Sequence, residues 1–162
     1  MQTLQTISCE EIMSTPIAPI PFSVENLLGQ GLYIFAGAPK IGKSWLSLDI
    51  CLSVAKGEAV LGQRTAKGTA LYLCLEDNKV RLQNRLYELT NEPTDSLYFS
   101  LLADTIGDGL EQQIEQFYLA HRDLKIVVID TLQKIRSSEE SAYRAFHPRK
   151  SRTSRRSVRL HY

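Results

Sequence analysis

The sequence predicts an α/β fold in which helices cover a mostly parallel sheet. Two patterns carry the prediction. Short apolar runs alternate along the chain with longer segments of helical character, which is typical of parallel sheets. A glycine-rich stretch that ends in Lys43 and Ser44 lies between the first apolar run and the first helical segment. The 162 residues suffice for one compact domain and are too few for two ordinary ones.

The N-terminal segment, residues 1–23, is expected to be an extended lead-in. Its stretch STPIAPIPF holds three prolines in nine residues. Proline interrupts a helix because it lacks an N–H group and clashes with the preceding turn. The folded core is therefore expected over residues 24–140, beginning near Val24.

The first strand and the first helix are predicted on either side of the glycine-rich stretch. Residues 31–37, GLYIFAG, form a short apolar run bounded by glycines, which is typical of a buried strand. Residues 43–57, KSWLSLDICLSVAKG, are apolar on most sides and end in Gly57. This pattern predicts a buried helix with a glycine C-cap.

A second strand and an amphipathic helix follow. The run GTALYLCLED, residues 68–77, predicts a buried strand that stops on two acids. In residues 78–90, helical spacing places apolar side chains toward the core and charged side chains outward. The inward set is Val80, Leu82, Leu86 and Leu89, and the outward set is Arg81, Arg85 and Glu88.

Two more strands enclose a third helix. Residues 97–102, LYFSLL, and residues 125–130, KIVVID, predict strands, of which the second is the most hydrophobic in the chain. Residues 108–123 predict a helix, in which Asp108 and Glu111 have the spacing of a capping box. Its apolar face comprises Leu110, Ile114, Phe117 and Tyr118.

Residues 141–162 differ in composition from the rest. All 18 acidic residues precede this segment, which holds seven of the 19 Lys and Arg residues. It shows no helical or alternating pattern, so we expect it to be disordered. Two interpretations stay open. A basic arm would bind DNA phosphates. Alternatively, the segment is an out-of-frame translation, which we favour because the apolar periodicity is lost there.

The sequence predicts a cytoplasmic protein. No apolar run reaches the roughly 18 to 20 residues that a membrane-spanning helix needs. The first residues, MQTLQTISCEEIMSTP, also lack the basic and apolar regions of a secretory signal.

The glycine-rich stretch fits the pattern G-x-x-x-x-G-K-[ST]. Between a strand and a helix, this pattern forms a phosphate-binding loop, or P-loop. Backbone N–H groups of the loop and the positive end of the helix dipole hold the phosphates. Lys43 is expected to reach the β- and γ-phosphates, and the Ser44 hydroxyl is expected to ligate Mg²⁺. The predicted nucleotide-binding residues are Gly37, Ala38, Pro39, Lys40, Ile41, Gly42, Lys43 and Ser44.

Two strand ends carry the acids that such a site needs. Asp130 ends the fourth strand, where P-loop proteins place the acid that holds Mg²⁺. Thr131 is interpreted as a strand cap rather than a phosphate ligand. Glu76 and Asp77 end the second strand. The residues alone leave two readings open: a general base that polarises the attacking water, or two solvated acids.

Together these stretches resemble the RecA-like ATPases of the RepA type, replicative hexameric helicases common on mobile elements. The resemblance rests on GLYIFAGAPKIGKSWLSLDICLSVAKGE, GTALYLCLEDN, RLQNRL and IVVIDTLQKIR, which occur in that order. It implies a RecA-like three-layer P-loop domain, ATP and Mg²⁺ as ligands, single-stranded DNA as partner, and a homo-hexamer. It also implies that Glu76 is the catalytic base, acting beside Lys43 on the bound phosphates.

The resemblance stops near Ser141. Members of the family continue past DTLQKIR with a helix, a further apolar strand, DNA-facing loops and an arginine finger. The resemblance therefore implies a domain that is incomplete at its C-terminus. Its missing strand would lie between the strand that ends at Asp130 and the strand before the P-loop. An ATP-hydrolysing helicase and a truncated nucleotide-binding remnant that does not cycle both stay open as functions.

Overall fold

The computed structural model describes residues 4–16 and 19–136, so the tail at 141–162 lies outside the described residues. No helix in this described part is long and apolar enough to cross a membrane. Its helices are α1 (Cys9–Ser14), α2 (Lys43–Lys56), α3 (Lys79–Leu89) and α4 (Leu110–Ala120). Its strands are β1 (Phe22–Val24), β2 (Leu28–Gly29), β3 (Thr69–Cys74), β4 (Leu97–Ser100) and β5 (Leu124–Asp130), followed by a 3₁₀ helix (Leu132–Ile135).

The central strand of the sheet is β3. It pairs in parallel with β4 on one side and with β5 on the other. All of its residues are buried, because strands cover both edges and helices cover both faces. The register places Cys74, at the end of β3, opposite Asp130, at the end of β5. The carboxyl ends of the two strands therefore lie side by side.

Helices pack on both faces of β3. Successive side chains of a strand point to opposite faces of the sheet. Tyr72 and Cys74 pack with residues of α2 and α3, whereas Leu71 and Leu73 pack with Leu110 of α4. The predicted α/β fold with a parallel sheet is thus confirmed.

The helix after the P-loop forms where the sequence predicts it. Lys56 is its last residue, and Gly57 follows with φ 76°, in the left-handed region that favours glycine. The Gly57 N–H donates to the carbonyl oxygens of Ser53 and Val54. The other two predicted helices and the last three predicted strands also form, close to their predicted bounds.

The strand predicted at residues 31–37 does not form, and this prediction is wrong. The segment has no regular structure, and Leu32 and Ile34 are 80% and 63% exposed. A strand needs a neighbour to receive its backbone hydrogen bonds. In the part of the chain that the structure describes, the parallel sheet ends at β5 and no strand lies beside residues 31–37. An apolar run alone is therefore insufficient for a strand here.

The N-terminal segment is not extended throughout, contrary to the expectation for residues 1–23. Ser8 caps the short helix α1 by accepting a hydrogen bond from the N–H of Glu11. Further along, β1 and β2 form an antiparallel hairpin that the sequence analysis did not predict. Val24 of β1 is fully buried and packs with Val54 of α2.

Two predictions about helix surfaces are also wrong. The Asp108 carboxylate accepts from the Thr105 hydroxyl and Glu111 accepts from the Gly107 N–H, so these acids form no capping box. Helix α4 begins at Leu110, so its N-cap is Gly109, which has no side chain, and Asp108 lies one residue too early to cap it. Val80 is 65% exposed, and Leu82 is the one buried residue of α3.

Candidate functional site

The loop of residues 37–44 leads into the first turn of α2. Gly42 immediately precedes α2 and has φ 93°, a left-handed conformation that L side chains rarely adopt. A Cβ atom on Gly37 would lie 2.6 Å from Cδ1 of Ile41, which is too close for a side chain to fit without a shift. The backbone conformation therefore favours glycine at position 42, whereas a side chain at position 37 would only require the exposed end of Ile41 to move.

The N-terminal end of α2 is open to a ligand. Gly42 lacks a side chain, so no side-chain oxygen caps this end of the helix. The first N–H groups of an α-helix have no partner within the helix, and they carry partial positive charge. Residues 37–42 are exposed to solvent. This end of α2 has the features of an anion-binding site.

The Lys43 side chain folds back over the loop. Its Nζ donates to the carbonyl oxygen of Gly37 at 2.9 Å and to that of Ala38 at 2.8 Å. The ammonium charge therefore lies against the loop backbone, close to the positive end of α2. Two sources of positive potential thus meet at one short loop.

Three predicted site residues from different elements line one cleft. Ser44 lies in the first turn of α2, Glu76 follows β3, and Asp130 ends β5. The parallel pairing of β3 and β5 brings the two acids to one edge of the sheet. The remaining predicted residues, 37–43, do not line this cleft, but they precede Ser44 directly in the chain.

Tyr72 is a site residue that the sequence analysis missed. Its hydroxyl donates to Oδ2 of Asp130 at 2.8 Å and lies 3.4 Å from the carbonyl oxygen of Ser44. Burial, followed by the hydrogen bond to Asp130, raises the pKa of Tyr72 far above that of an ordinary phenol. The hydroxyl therefore keeps its proton and acts as a donor. Within an apolar strand, a tyrosine has no sequence signal that separates this role from core packing.

The two acids after β3 have different surroundings. The Asp77 side chain is 8% exposed, and its Oδ2 lies 2.6 Å from Nη1 of Arg85. Arg81 is a more distant partner, with Nη1 at 3.8 Å from Oδ1. Within residues 4–16 and 19–136, the Glu76 side chain has no ion pair or hydrogen bond. One acid is therefore held by an arginine, whereas the other offers a carboxylate to the cleft.

Arg85 faces the cleft, although the helical pattern predicted that it points outward. Its guanidinium lies 5.7 Å from the ring centroid of Trp45, which is the residue after Ser44. The charge of Asp77 attracts the guanidinium, because that acid is nearly buried and needs a cation. The sequence did contain a signal for this ion pair. Asp77, Arg81 and Arg85 follow one another at intervals that place side chains on the same face of a helix.

The oxygen atoms of the cleft fit Mg²⁺. The Ser44 hydroxyl and the Asp130 carboxylate are hard oxygen donors, which Mg²⁺ prefers. Oδ2 of Asp130 accepts from Tyr72, and no other hydrogen bond to this carboxylate occurs within the described residues. Mg²⁺ usually takes one or two protein carboxylates and completes its shell with waters and phosphate oxygens. These residues therefore suit a metal ion that is bound together with a nucleotide.

The family model described as AAA domain matches residues 3–151, which is nearly the whole chain. No curated protein and no solved structure matches the sequence.

Proposed function

Because this chain belongs to the AAA domain family, we propose that it binds ATP with Mg²⁺ at the loop of residues 37–44 and hydrolyses it. P-loop ATPases bind the phosphates of a nucleotide through this loop. The observation that carries the proposal is the meeting of Ser44, Glu76 and Asp130 in one cleft beside the open N-terminal end of α2.

Binding of the phosphates is assigned to the loop and to Lys43. The N–H groups at the start of α2 are the donors, and Gly42 leaves them unobstructed. The Lys43 ammonium exchanges its contacts with the carbonyl oxygens of Gly37 and Ala38 for contacts with phosphate oxygens. Ser44 and Asp130 would hold Mg²⁺, which would supply positive charge to the bound phosphates.

Hydrolysis requires a group that orients a water molecule and accepts its proton. Glu76 is assigned this role, because its carboxylate lines the cleft without a protein partner among the described residues. Asp77 is excluded from the role, since its carboxylate is occupied by Arg85. The Glu76 assignment agrees with the resemblance to RepA-type ATPases.

The test of ATP binding uses the natural fluorophore of the site. Trp45 is the single tryptophan of the chain and adjoins Ser44, so its fluorescence should report a bound nucleotide. We expect saturable binding of Mg²⁺-ATP by the full chain and a large loss of affinity in Lys43→Ala. Lys125→Ala is the matched control, because Lys125 lies at the opposite end of β5 from Asp130. Equal affinities of the K43A and wild-type chains would refute the proposed site.

We further propose that ATP hydrolysis is coupled to movement along single-stranded DNA in a homo-hexameric ring. This finer function is supported only by the resemblance of four sequence stretches to RepA-type helicases. Two measurements test it: stimulation of the ATPase rate by single-stranded DNA, and the mass of the particle formed with nucleotide. An ATPase that stays monomeric and ignores DNA would rule out the helicase function and leave the ATP-binding proposal intact.

The second candidate is a nucleotide-binding domain that does not cycle. It is favoured by the segment of residues 31–37, which precedes the P-loop and is exposed instead of being part of the sheet. A P-loop that follows an irregular, exposed segment is anchored by fewer backbone hydrogen bonds than one that follows a strand of the sheet. A single-turnover experiment distinguishes the candidates, because bound ATP would persist without conversion to ADP.

A third candidate is DNA binding through residues 142–162. The support is the seven Lys and Arg residues and the absence of acids in this segment. Deletion of the segment should then abolish retention on single-stranded DNA at moderate salt. Unchanged retention would dismiss this candidate.

A further inference from the structure

We propose that Tyr72 is a positioning residue that fixes the orientation of the Asp130 carboxylate for Mg²⁺ binding. The proposal rests on the proposed function, because it concerns the same metal site. Its basis is that one buried hydroxyl contacts both Asp130 and the backbone of Ser44, the two residues assigned to the metal.

The ring of Tyr72 is fixed by its surroundings. The residue is 1% exposed, in the middle of the central strand β3, and it packs with Leu48 and Cys51 of α2. The Phe99 ring on the neighbouring strand β4 contacts it, with centroids 6.1 Å apart. Because the ring is held on several sides, the hydroxyl has little freedom to follow the carboxylate. The carboxylate must instead adopt the orientation that the hydroxyl offers.

The carboxylate of Asp130 depends on this contact. Asp130 is the last residue of β5, which is one of the two outer strands of the described parallel sheet. The terminal torsion of an aspartate side chain has broad wells, so the plane of the carboxylate is not set by rotamer preference alone. The hydrogen bond to Oδ2, at 2.8 Å, fixes this plane. Oδ1 accepts no hydrogen bond within the described residues, so it would be available to a metal ion or to a metal-bound water.

The second contact connects the metal site to α2. A phenol carries one proton, and the shorter distance shows that this proton is directed mainly at Asp130 rather than at the Ser44 carbonyl oxygen, 3.4 Å away. The Ser44 backbone nevertheless packs against the same oxygen atom. Tyr72 therefore also sets the spacing between the first turn of α2 and the end of β5, and hence between the Ser44 hydroxyl and the Asp130 carboxylate.

Groups that orient metal ligands have measurable effects on metal affinity. Loss of such a hydrogen bond typically lowers metal affinity or activity by roughly 10- to 100-fold. Tyr72→Phe removes the hydroxyl and retains the ring, so its packing against Phe99 and α2 is preserved. The proposal predicts that this variant binds nucleotide normally without metal and binds the metal ion more weakly.

The test measures metal binding directly, without turnover. The ADP-bound full chain is titrated with Mn²⁺ as a substitute for Mg²⁺, and free Mn²⁺ is followed by electron paramagnetic resonance. We expect Y72F to bind Mn²⁺ roughly 10- to 100-fold more weakly than the wild type. Its affinity for ADP in EDTA, read from Trp45 fluorescence, should not change. Tyr87→Phe is the matched control, because the Tyr87 side chain is 68% exposed on α3.

The outcomes separate the two proposals. Equal Mn²⁺ affinities of Y72F and the wild type would overturn the positioning role and leave the nucleotide site standing. A wild-type chain that binds no ADP, with or without metal, would overturn both. A second variant, Phe99→Leu, loosens the ring of Tyr72 and keeps every oxygen atom, so it should weaken Mn²⁺ binding in the same direction. If thermal unfolding shows that Y72F is not folded, F99L serves as the test in its place. An F99L chain that binds Mn²⁺ with wild-type affinity would then overturn the positioning role of Tyr72.

Discussion

Arg85 holds Asp77 in a short ion pair, with 2.6 Å between Nη1 and Oδ2, at the mouth of the cleft. The same guanidinium lies over Trp45, in the first turn of α2. One side chain of α3 thereby connects the end of β3 to the start of α2. It also leaves the neighbouring Glu76 as the acid without a protein partner in the described residues.

The first prediction separates the two acids. Glu76→Gln should lower the ATPase rate by roughly 100-fold or more, because a general base contributes about that factor. It should leave the thermal stability and ATP affinity unchanged. Asp77→Asn should instead lower the free energy of unfolding by about 1–2 kcal/mol, because the bond to the Arg85 cation is weakened. Chemical denaturation and steady-state ATPase assays of both variants check this. A normal rate in E76Q would remove Glu76 from the mechanism.

A second prediction concerns the two arginines near Asp77. Arg85→Met should cost about 1–2 kcal/mol of stability and alter the Trp45 emission, since the side chain is only 24% exposed and contacts both groups. Arg81→Met is the matched control, because Arg81 is 70% exposed and 3.8 Å from the acid. It should cost less than about 0.5 kcal/mol. Urea unfolding followed by fluorescence measures both quantities, and equal costs would contradict the assigned pairing.

A third prediction tests the glycine that precedes α2. Gly42→Ala should destabilise the fold by about 1–2 kcal/mol, because φ is 93° in a region that disfavours a Cβ atom. It should also weaken ATP binding by shifting the first N–H groups of α2. Gly62→Ala matches it in backbone conformation, with φ 75° and open space around the added Cβ. We expect similar losses of stability in both, with ATP affinity reduced only in G42A.

The fourth prediction concerns thiol reactivity. Burial raises the pKa of the Cys74 thiol to about 11, and Cys51 is likewise buried with a raised pKa. Cys9 lies exposed in α1. A thiol reagent at neutral pH should therefore modify Cys9 rapidly and the other two only after denaturation. Mass spectrometry of the labelled peptides reads the result, and rapid native labelling of Cys74 would contradict the packing of β3.

The fifth prediction follows from an acid far from the cleft. The pKa of Asp123 lies below its ordinary value of 3.8, chiefly because the Thr69 hydroxyl donates to Oδ1 at 2.8 Å. An acid whose pKa is lower in the folded state than in the unfolded state stabilises the protein at pH values above the unfolded-state pKa. This stabilisation is lost as the pH falls through the pKa of the folded state. Asp123→Asn should therefore lower the melting temperature at pH 7, and the difference should shrink below about pH 4. A difference that does not depend on pH would argue against the charged hydrogen bond.

The sequence alone determined the three helices that follow the P-loop, the three strands of the parallel sheet and the P-loop pattern, but not the short N-terminal helix α1. These features depend on local information. Apolar periodicity reports which face of a segment is buried, and the left-handed backbone conformation at Gly42 favours the glycine of the loop pattern there. The parallel sheet also followed from the alternation of elements, since parallel strands need a long crossover between them.

Only the tertiary structure decided which polar side chains act together. Glu76 and Asp77 are adjacent acids after the same strand. Their surroundings differ because Arg85 on α3 forms an ion pair with Asp77. Tyr72 differs from an ordinary core residue because parallel pairing puts its hydroxyl beside Asp130, 58 positions later. The exposed segment at 31–37 has a strand sequence, but a strand also requires a neighbour. The contact between Tyr72 and Asp130 joins residues distant in the chain, so no local pattern encodes it.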